Sequence, residues 1–222
     1  MNIYLDIETI PTDRQDVRDY IAATVTHPAT MSKPDTIAKW EQEAKPAAIE
    51  EAVSKTALDG TFGRVCVIGW RIEGKSAKVS LSATDEAGVL RDFAVDMATI
   101  PVNEQFNCAI VGHNVSWDVR FLHQRYVLHG IKPPLVLSRA AQAKPWESDK
   151  LYDTMIQWAG VGNRISLDKL CLAMRYPSPK ADMDGSQVAQ YVAAGRIGEV
   201  AQYCLKDVDA VEFIHSRMTF NY

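Results

Sequence analysis

The sequence lacks a long apolar segment. Its longest clean hydrophobic run, at residues 65–70, is far shorter than the roughly 18 to 20 residues that a bilayer-spanning helix needs. The first residues also lack the basic segment, apolar core and small-residue cleavage site of a secretion signal. We therefore expect a protein that does not bind membranes and that stays in the cytoplasm, where it is made.

The sequence also has few cysteines, and its basic residues are fewer than its acidic ones. The four cysteines form no C-x-x-C pair and have no histidine at a spacing typical of zinc sites, so we predict buried thiols in a reducing compartment. The net charge of −4 counts against a protein that coats nucleic acid through a broad basic surface. This charge is compatible with an enzyme that binds only a few nucleotides at one end of a nucleic-acid strand.

Residues 3–8 show the alternation of a short strand. Apolar residues at positions 3, 5 and 7 alternate with Tyr4, Asp6 and Glu8. Side chains two apart on a strand project from the same face, roughly 6.5 to 7 Å apart, so a divalent cation can lie between the two carboxylates. Taken alone, such a pair is more typical of two solvated acids on an edge strand.

The remaining pattern predicts an α/β fold. Polar and apolar periodicity indicates, in order, helices at 13–25 and 36–58, strands at 64–72 and 78–82, a helix at 86–98, a strand at 108–111, a helix at 115–129, a loop at 138–150 and a helix at 197–218. We expect an antiparallel group of three strands in a mixed sheet with helices packed on its faces. Residues 1–222 would form a single domain with a helical insertion at about 12–62.

Two helices carry paired polar residues at a spacing of four. Asn114 and Asp118 lie at the start of one predicted helix, and Tyr203 and Asp207 lie in the last one, so each pair shares a helical face. An acid in a first helical turn also complements the helix dipole, and the second pair alone also fits a solvated surface. Asp153 and Ser166 stand where helix N-caps are expected, and for Asp153 a cap is favoured over a metal ligand.

The order of these motifs resembles the DEDD superfamily of 3′-5′ exonucleases. Asp6-x-Glu8, Asn114-x3-Asp118 and Tyr203-x3-Asp207 correspond to its three motifs, with the tyrosine of the DEDDy branch. More narrowly, the chain resembles the predicted 3′-5′ exonucleases related to the proofreading domain of family-B DNA polymerases, with further matches at residues 67–70, 112–114, 153–154, 166–168, 180 and 183–186. This resemblance implies an α/β fold with a ribonuclease H-like mixed sheet of about five strands, three antiparallel and then parallel, with helices on both faces.

The resemblance also implies a mechanism and a substrate. The enzyme would remove nucleoside 5′-monophosphates from the 3′ end of single-stranded nucleic acid, DNA in preference to RNA. Two divalent cations, Mg²⁺ with Mn²⁺ as a substitute, would be held by four carboxylates: Asp6, Glu8, Asp118 and Asp207. Tyr203 would position the attacking water as a catalytic residue. Candidates to hold the terminal nucleotide are Thr9, Ile10 and Asn114.

Several alternatives stay open at this point. Thr9 and Ile10 fit ordinary strand-end structure equally well, and Lys180 fits either a phosphate contact or a solvated loop residue. The same metal site would serve a 3′-5′ exoribonuclease, because the contacts that read a 2′-hydroxyl are not visible in the sequence. A nuclease that cuts internally and a non-catalytic nucleic-acid-binding module of the same fold are further alternatives. The sequence predicts no particular protein partner.

Overall fold

A computed structural model describes residues 1–179 and 183–221 of the chain. Lys180 lies outside these residues. The chain forms two compact units, of which the larger comprises Met1–Glu8 and Val65–Tyr222 and the smaller is Thr9–Arg64. None of the helices in the described ranges combines the length and the apolar character that crossing a bilayer requires.

The smaller unit is helical. It contains α1 (Gln15–Thr24), α2 (Pro34–Glu43) and α3 (Lys45–Lys55), followed by a 3₁₀ turn at Thr56–Leu58. Val17, Ile21 and Val53 form its core. The stretch predicted as helical over 36–58 is helical but is interrupted at Ala44. Pro46 has no N–H to donate and its ring would clash with the preceding helical turn, so the chain ends α2 and begins α3 just before it.

The larger unit is built on the predicted mixed sheet of five strands. These strands are β1 (Asn2–Ile10), β2 (Arg64–Ile72), β3 (Lys78–Leu81), β4 (Ala109–Gly112) and β5 (Leu151–Asp153). Their order across the sheet is β3-β2-β1-β4-β5. The last two residues of β1 and the first residue of β2 belong to the smaller unit.

The strand directions confirm an antiparallel group followed by a parallel one. β2 and β3 pair antiparallel, whereas β1 with β4 and β4 with β5 pair parallel. β1 and β2 also run in opposite directions. The N–H of Glu73 at the end of β2 bonds to the carbonyl of Asn2, while the thiol of Cys66 near its start bonds to the carbonyl of Glu8.

Eight α-helices and a 3₁₀ turn at Gly185–Gln187 follow or separate these strands in the described part of the larger unit. The α-helices are α4 (Glu86–Met97), α5 (Val102–Gln105), α6 (Val115–Leu128), α7 (Leu135–Ala140), α8 (Thr154–Ala159), α9 (Leu167–Ala173), α10 (Val188–Ala193) and α11 (Ile197–Met218). The predicted bounds of the last helix are confirmed. The loop predicted at 138–150 was wrong at its start, because the buried side chains of Val136, Leu137 and Ala140 hold α7 in place.

The alternation of β1 places helices on both faces of the sheet. Its apolar residues at positions 3, 5 and 7 lie in the main core with residues of α4 and α6, among them Phe93 and Leu122. On the opposite face, Tyr4 packs with Val208 and Val211 of α11. The face that carries Asp6 and Glu8 is therefore the face that α11 covers.

Two glycines let helices approach the strands closely. A Cβ at Gly69 in β2 would lie 2.8 Å from the sulfur of Cys204 in α11. A Cβ at Gly112, at the end of β4, would lie 2.8 Å from the carbonyl oxygen of Leu5 and 2.5 Å from the Cβ of Val115. The absence of side chains at these positions allows α11 and the start of α6 to lie against the centre of the sheet.

Candidate active site

Three carboxylates meet where β1 faces α11. Asp6 and Glu8 come from β1 and Asp207 comes from α11, and their ligand oxygens lie within 4.8 Å of one another. Glu8 and Asp207 are buried, with 8% and 7% of their surface exposed. The strand supplies two acids on one face, and the close packing of α11 supplies the third from nearly the other end of the chain.

Tyr203 lies one helical turn before Asp207 and is also buried. Its phenol lies close enough to the Asp207 carboxylate for the two groups to interact. Burial raises the pKa of Tyr203 strongly, and the negative charges of Asp207 and Glu8 raise it further. The phenol is therefore protonated at any physiological pH, and it can donate a hydrogen bond beside the carboxylates.

Asp118 approaches the cluster from the first turn of α6. The carboxylate is buried and lies near the backbone of Ile7, which lowers its pKa against the larger effect of burial. Ile7 stands between the two acids of β1, so Asp118 lies at the same stretch of strand. Asp118 does not belong to the group of three within 4.8 Å, but its charge acts on both Asp6 and Glu8.

Burial and mutual repulsion destabilise the ionised forms of the carboxylates in the cluster. Burial raises the pKa of Asp6 well above its usual range, and the charges of Asp207 and Glu8 raise it further. Burial also raises the pKa of Glu8, with smaller contributions from the neighbouring aspartates. For Asp118, burial is again the main cause and raises the pKa to about 8. Such a site favours either bound protons or bound cations.

The donor set fits a hard divalent cation. All three clustered groups are carboxylates, and oxygen ligands are those that Mg²⁺, Mn²⁺ and Ca²⁺ prefer. The Oδ2 atom of Asp6 is buried and has no hydrogen-bond partner among the described residues. A buried carboxylate oxygen without a partner is costly unless a cation or proton satisfies it.

The three predicted substrate contacts lie beside these acids along the chain. Asn114 is the exposed N-cap of α6, where its φ of 59° is left-handed and its side chain makes no capping bond. Within the smaller unit, the Thr9 hydroxyl donates to the carbonyl of Ala57 at 2.6 Å. Ile10 is buried, with 5% of its surface exposed.

Some features beside the site were not predicted. A cavity of about 410 Å³ opens next to Tyr203, with Tyr191, Arg196 and Lys206 in its lining. Asp153 caps α8 as predicted, but it also accepts hydrogen bonds from the start of α6. Neither feature leaves a local signal in the sequence, because each depends on segments that meet only in the fold.

Comparison with known proteins assigns the family. Residues 65–220 match the model of a family described as predicted 3′-5′ exonucleases related to the exonuclease domain of PolB. The chain belongs to this exonuclease family. The matched range includes Asp118, Tyr203 and Asp207, whereas Asp6 and Glu8 precede it. A comparison with curated protein sequences finds no match.

The fold of this family member is similar to that of a solved polymerase. The structure of the family B DNA polymerase from the hyperthermophilic archaeon Pyrobaculum calidifontis matches 99% of the chain with a TM-score of 0.60 and 15% sequence identity. The chain spans about a quarter of that polymerase, 24% of its length. The likeness includes β1 and identifies the five-stranded mixed sheet as ribonuclease H-like.

Proposed function

We propose that this chain is a metal-dependent 3′-5′ exonuclease that removes nucleoside 5′-monophosphates from single-stranded nucleic acid, with DNA as the preferred substrate. The observation that carries the proposal is the meeting of Asp6, Glu8 and Asp207 within 4.8 Å, in a member of a family of predicted 3′-5′ exonucleases. The geometry supports the proposal because one strand and two helices direct buried acids towards the same end of β1.

Asp6, Glu8 and Asp207 would hold one divalent cation, and Asp118 would hold a second directly or through water, with Asp6 shared between them. Two Mg²⁺ ions, or Mn²⁺ in their place, would supply positive charge to the phosphate and lower the pKa of a water molecule. The raised pKa values of three of these acids support cation binding, since neutralising buried negative charges lowers their repulsion.

Tyr203 would orient the attacking water. Its pKa is raised so far that the phenol cannot serve as a base at neutral pH, but its protonated oxygen can both donate and accept a hydrogen bond. The phenol lies beside Asp207 on the same face of α11, and this position would direct it at a water molecule bound by the cluster. Its contribution is therefore to geometry and not to proton removal.

Asn114, Thr9 and Ile10 are proposed to hold the terminal nucleotide. The exposed amide of Asn114 is available to a substrate at the N-terminus of α6. The Thr9 hydroxyl donates its hydrogen to the carbonyl of Ala57, so Thr9 would contact the nucleotide through an oxygen lone pair or through its backbone. Ile10 would need its surroundings to open before a base could pack on it. The cavity beside Tyr203 offers room for the adjoining nucleotide, with Arg196 in its lining paired to Glu199 at 2.6 Å.

A product analysis tests this function. DNA and RNA oligonucleotides of the same sequence, labelled at either end, are incubated with Mg²⁺ or with EDTA. The proposal expects a ladder from 5′-labelled DNA and early release of mononucleotide from 3′-labelled DNA, only with Mg²⁺. Faster loss of the RNA would make the chain an exoribonuclease. Cleavage of a circular single strand would show an internal nuclease, and binding without cleavage would show a non-catalytic module.

A matched pair of variants ties the activity to the cluster. Asp207→Ala should abolish cleavage because it removes a cation ligand, while the fold survives because like-charge repulsion is also removed. Asp209→Ala is the control on the same helix, since Asp209 forms an ion pair with Arg71 at 2.6 Å instead. Asp6→Ala should behave as Asp207→Ala does. Substantial activity in both cluster variants would refute the site.

A further inference from the structure

The first turn of α6 is held by a side chain from another element. Its N-cap residue, Asn114, makes no side-chain capping bond. Instead, Oδ1 of Asp153 accepts the N–H of Asn114 at 2.9 Å. Oδ2 of Asp153 accepts the N–H of Ser116 at 3.3 Å and its hydroxyl at 3.1 Å. A residue at the end of β5 therefore supplies the cap that α6 lacks.

The same carboxylate also caps its own helix. Oδ1 of Asp153 accepts the N–H groups of Met155 at 3.1 Å and Ile156 at 3.4 Å in the first turn of α8. Asp153 is 3% exposed and pairs with Gly112 in the register of β4 and β5. Burial, strand pairing and five hydrogen bonds fix the carboxylate, so the N-termini of two helices share one anchor.

This anchor lies close to the candidate site. Asp118 follows Ser116 by two residues in the turn that Asp153 holds. The Asp118 carboxylate lies near the backbone of Ile7, between the two acids of β1, and its charge acts on both of them. A shift of the first turn of α6 would therefore move Asp118 relative to Asp6 and Glu8, whereas a loss of the α8 cap alone would not.

We propose that Asp153 is a positioning residue for Asp118, holding the first turn of α6 so that the Asp118 carboxylate faces the other acids and can share in binding cations. This inference rests on the proposed function, because it assigns Asp118 to the metal site. Side chains that orient metal ligands from behind typically change metal affinity or activity by about 10- to 100-fold when they are replaced. The expected effect is therefore on cation binding and turnover.

Asp153→Ser separates the two caps. Serine is as good an N-cap as aspartate, so it keeps the bond to α8, but it is one atom shorter and has a single oxygen for the donors of α6. Asp85→Ser is the matched control, because Asp85 is the N-cap of α4 and accepts the N–H of Gly88 at 2.9 Å. Ser116→Ala weakens the same link from the α6 side and removes only one hydroxyl.

The experiment titrates each protein with Mn²⁺, followed by electron paramagnetic resonance, and measures kcat and KM on a labelled oligonucleotide. For Asp153→Ser we expect at least one Mn²⁺ to bind about tenfold more weakly and kcat to fall by about tenfold, with KM changed by less than about twofold. Asp85→Ser should match wild type in Mn²⁺ affinity, kcat and KM. Ser116→Ala should show the same changes at about two- to threefold, and it carries the test if Asp153→Ser does not fold.

Wild-type Mn²⁺ affinity and kcat in both Asp153→Ser and Ser116→Ala would overturn the inference. Equal losses in Asp85→Ser would also overturn it, because they would reveal a general effect of cap removal. If wild type binds Mn²⁺ but hydrolyses no oligonucleotide, the proposed function fails while the Mn²⁺ titrations still decide the role of Asp153. If wild type binds no Mn²⁺, both are overturned.

Discussion

Replacing Asp118 with asparagine should stabilise the cation-free protein, and more so as the pH rises. The carboxyl has a pKa of about 8 in the folded chain, against an ordinary value of 3.8, mainly because it is buried. Below pH 3.8 it is protonated in both the folded and the unfolded states. Above that pH the unfolded chain releases the proton and the folded chain keeps it, so stability is lost until the pH passes about 8.

The magnitude follows from the same two values. The span from 3.8 to about 8, at about 1.4 kcal/mol per pH unit, gives an upper limit of about 6 kcal/mol. Asparagine mimics the protonated acid and does not titrate. The advantage of Asp118→Asn over wild type in the free energy of unfolding should therefore grow by up to about 4 kcal/mol between pH 5 and pH 8.

Guanidinium unfolding in EDTA at pH 5, 6, 7 and 8 measures this difference. Asp209→Asn is the control, since Asp209 lies on α11 in an ion pair with Arg71. Mg²⁺ should restore wild type at pH 8 but help Asp118→Asn less, because cations that bind only the native state stabilise it. A gap between variant and wild type that stays constant across the pH range would refute the assignment of a buried, repelled carboxyl.

Three further predictions concern single side chains. Tyr203→Phe should lower kcat by roughly tenfold with unchanged Mn²⁺ affinity, because the phenol orients water; wild-type turnover would exclude it. Gly69→Ala should cost about 1–3 kcal/mol in denaturant unfolding, since its Cβ would meet Cys204 at 2.8 Å, whereas Gly198→Ala in open space should not destabilise. Glu86→Ala should cost about 3–5 kcal/mol because it removes the buried carboxylate that pairs with Arg125 at 2.8 Å, and a loss below 1 kcal/mol would contradict this.

Much of the fold was predictable because its signals are local. The alternation of residues 3–8 identified the face of β1 that carries Asp6 and Glu8. The apolar stripe of α11 set the bounds of that helix, and with them the pairing of Tyr203 and Asp207 on one face. Each of these depends on residues close together in the sequence, where periodicity and propensity act directly.

The elements that the sequence analysis did not predict depend on contacts between distant parts of the chain or on a single break within a helical stretch. α7 forms at a position that reads as a loop because three of its residues are buried against the rest of the chain. The break between α2 and α3 depends on Pro46 alone. The meeting of the Asp207 carboxylate with the β1 acids, with ligand oxygens within 4.8 Å, depends on Gly69 lacking a side chain opposite Cys204, and no local sequence pattern predicts this contact.

The thiol of Cys204 donates to the carbonyl of Asp6, and 198 residues separate the two. Contacts between such distant parts of a chain form late, because the intervening loop must first be closed. During synthesis on a ribosome, β1 emerges long before its partner helix. A nascent or truncated chain that stops short of α11 would thus hold two acids without the third, and the pocket can bind its cations only once α11 has emerged and packed on β1.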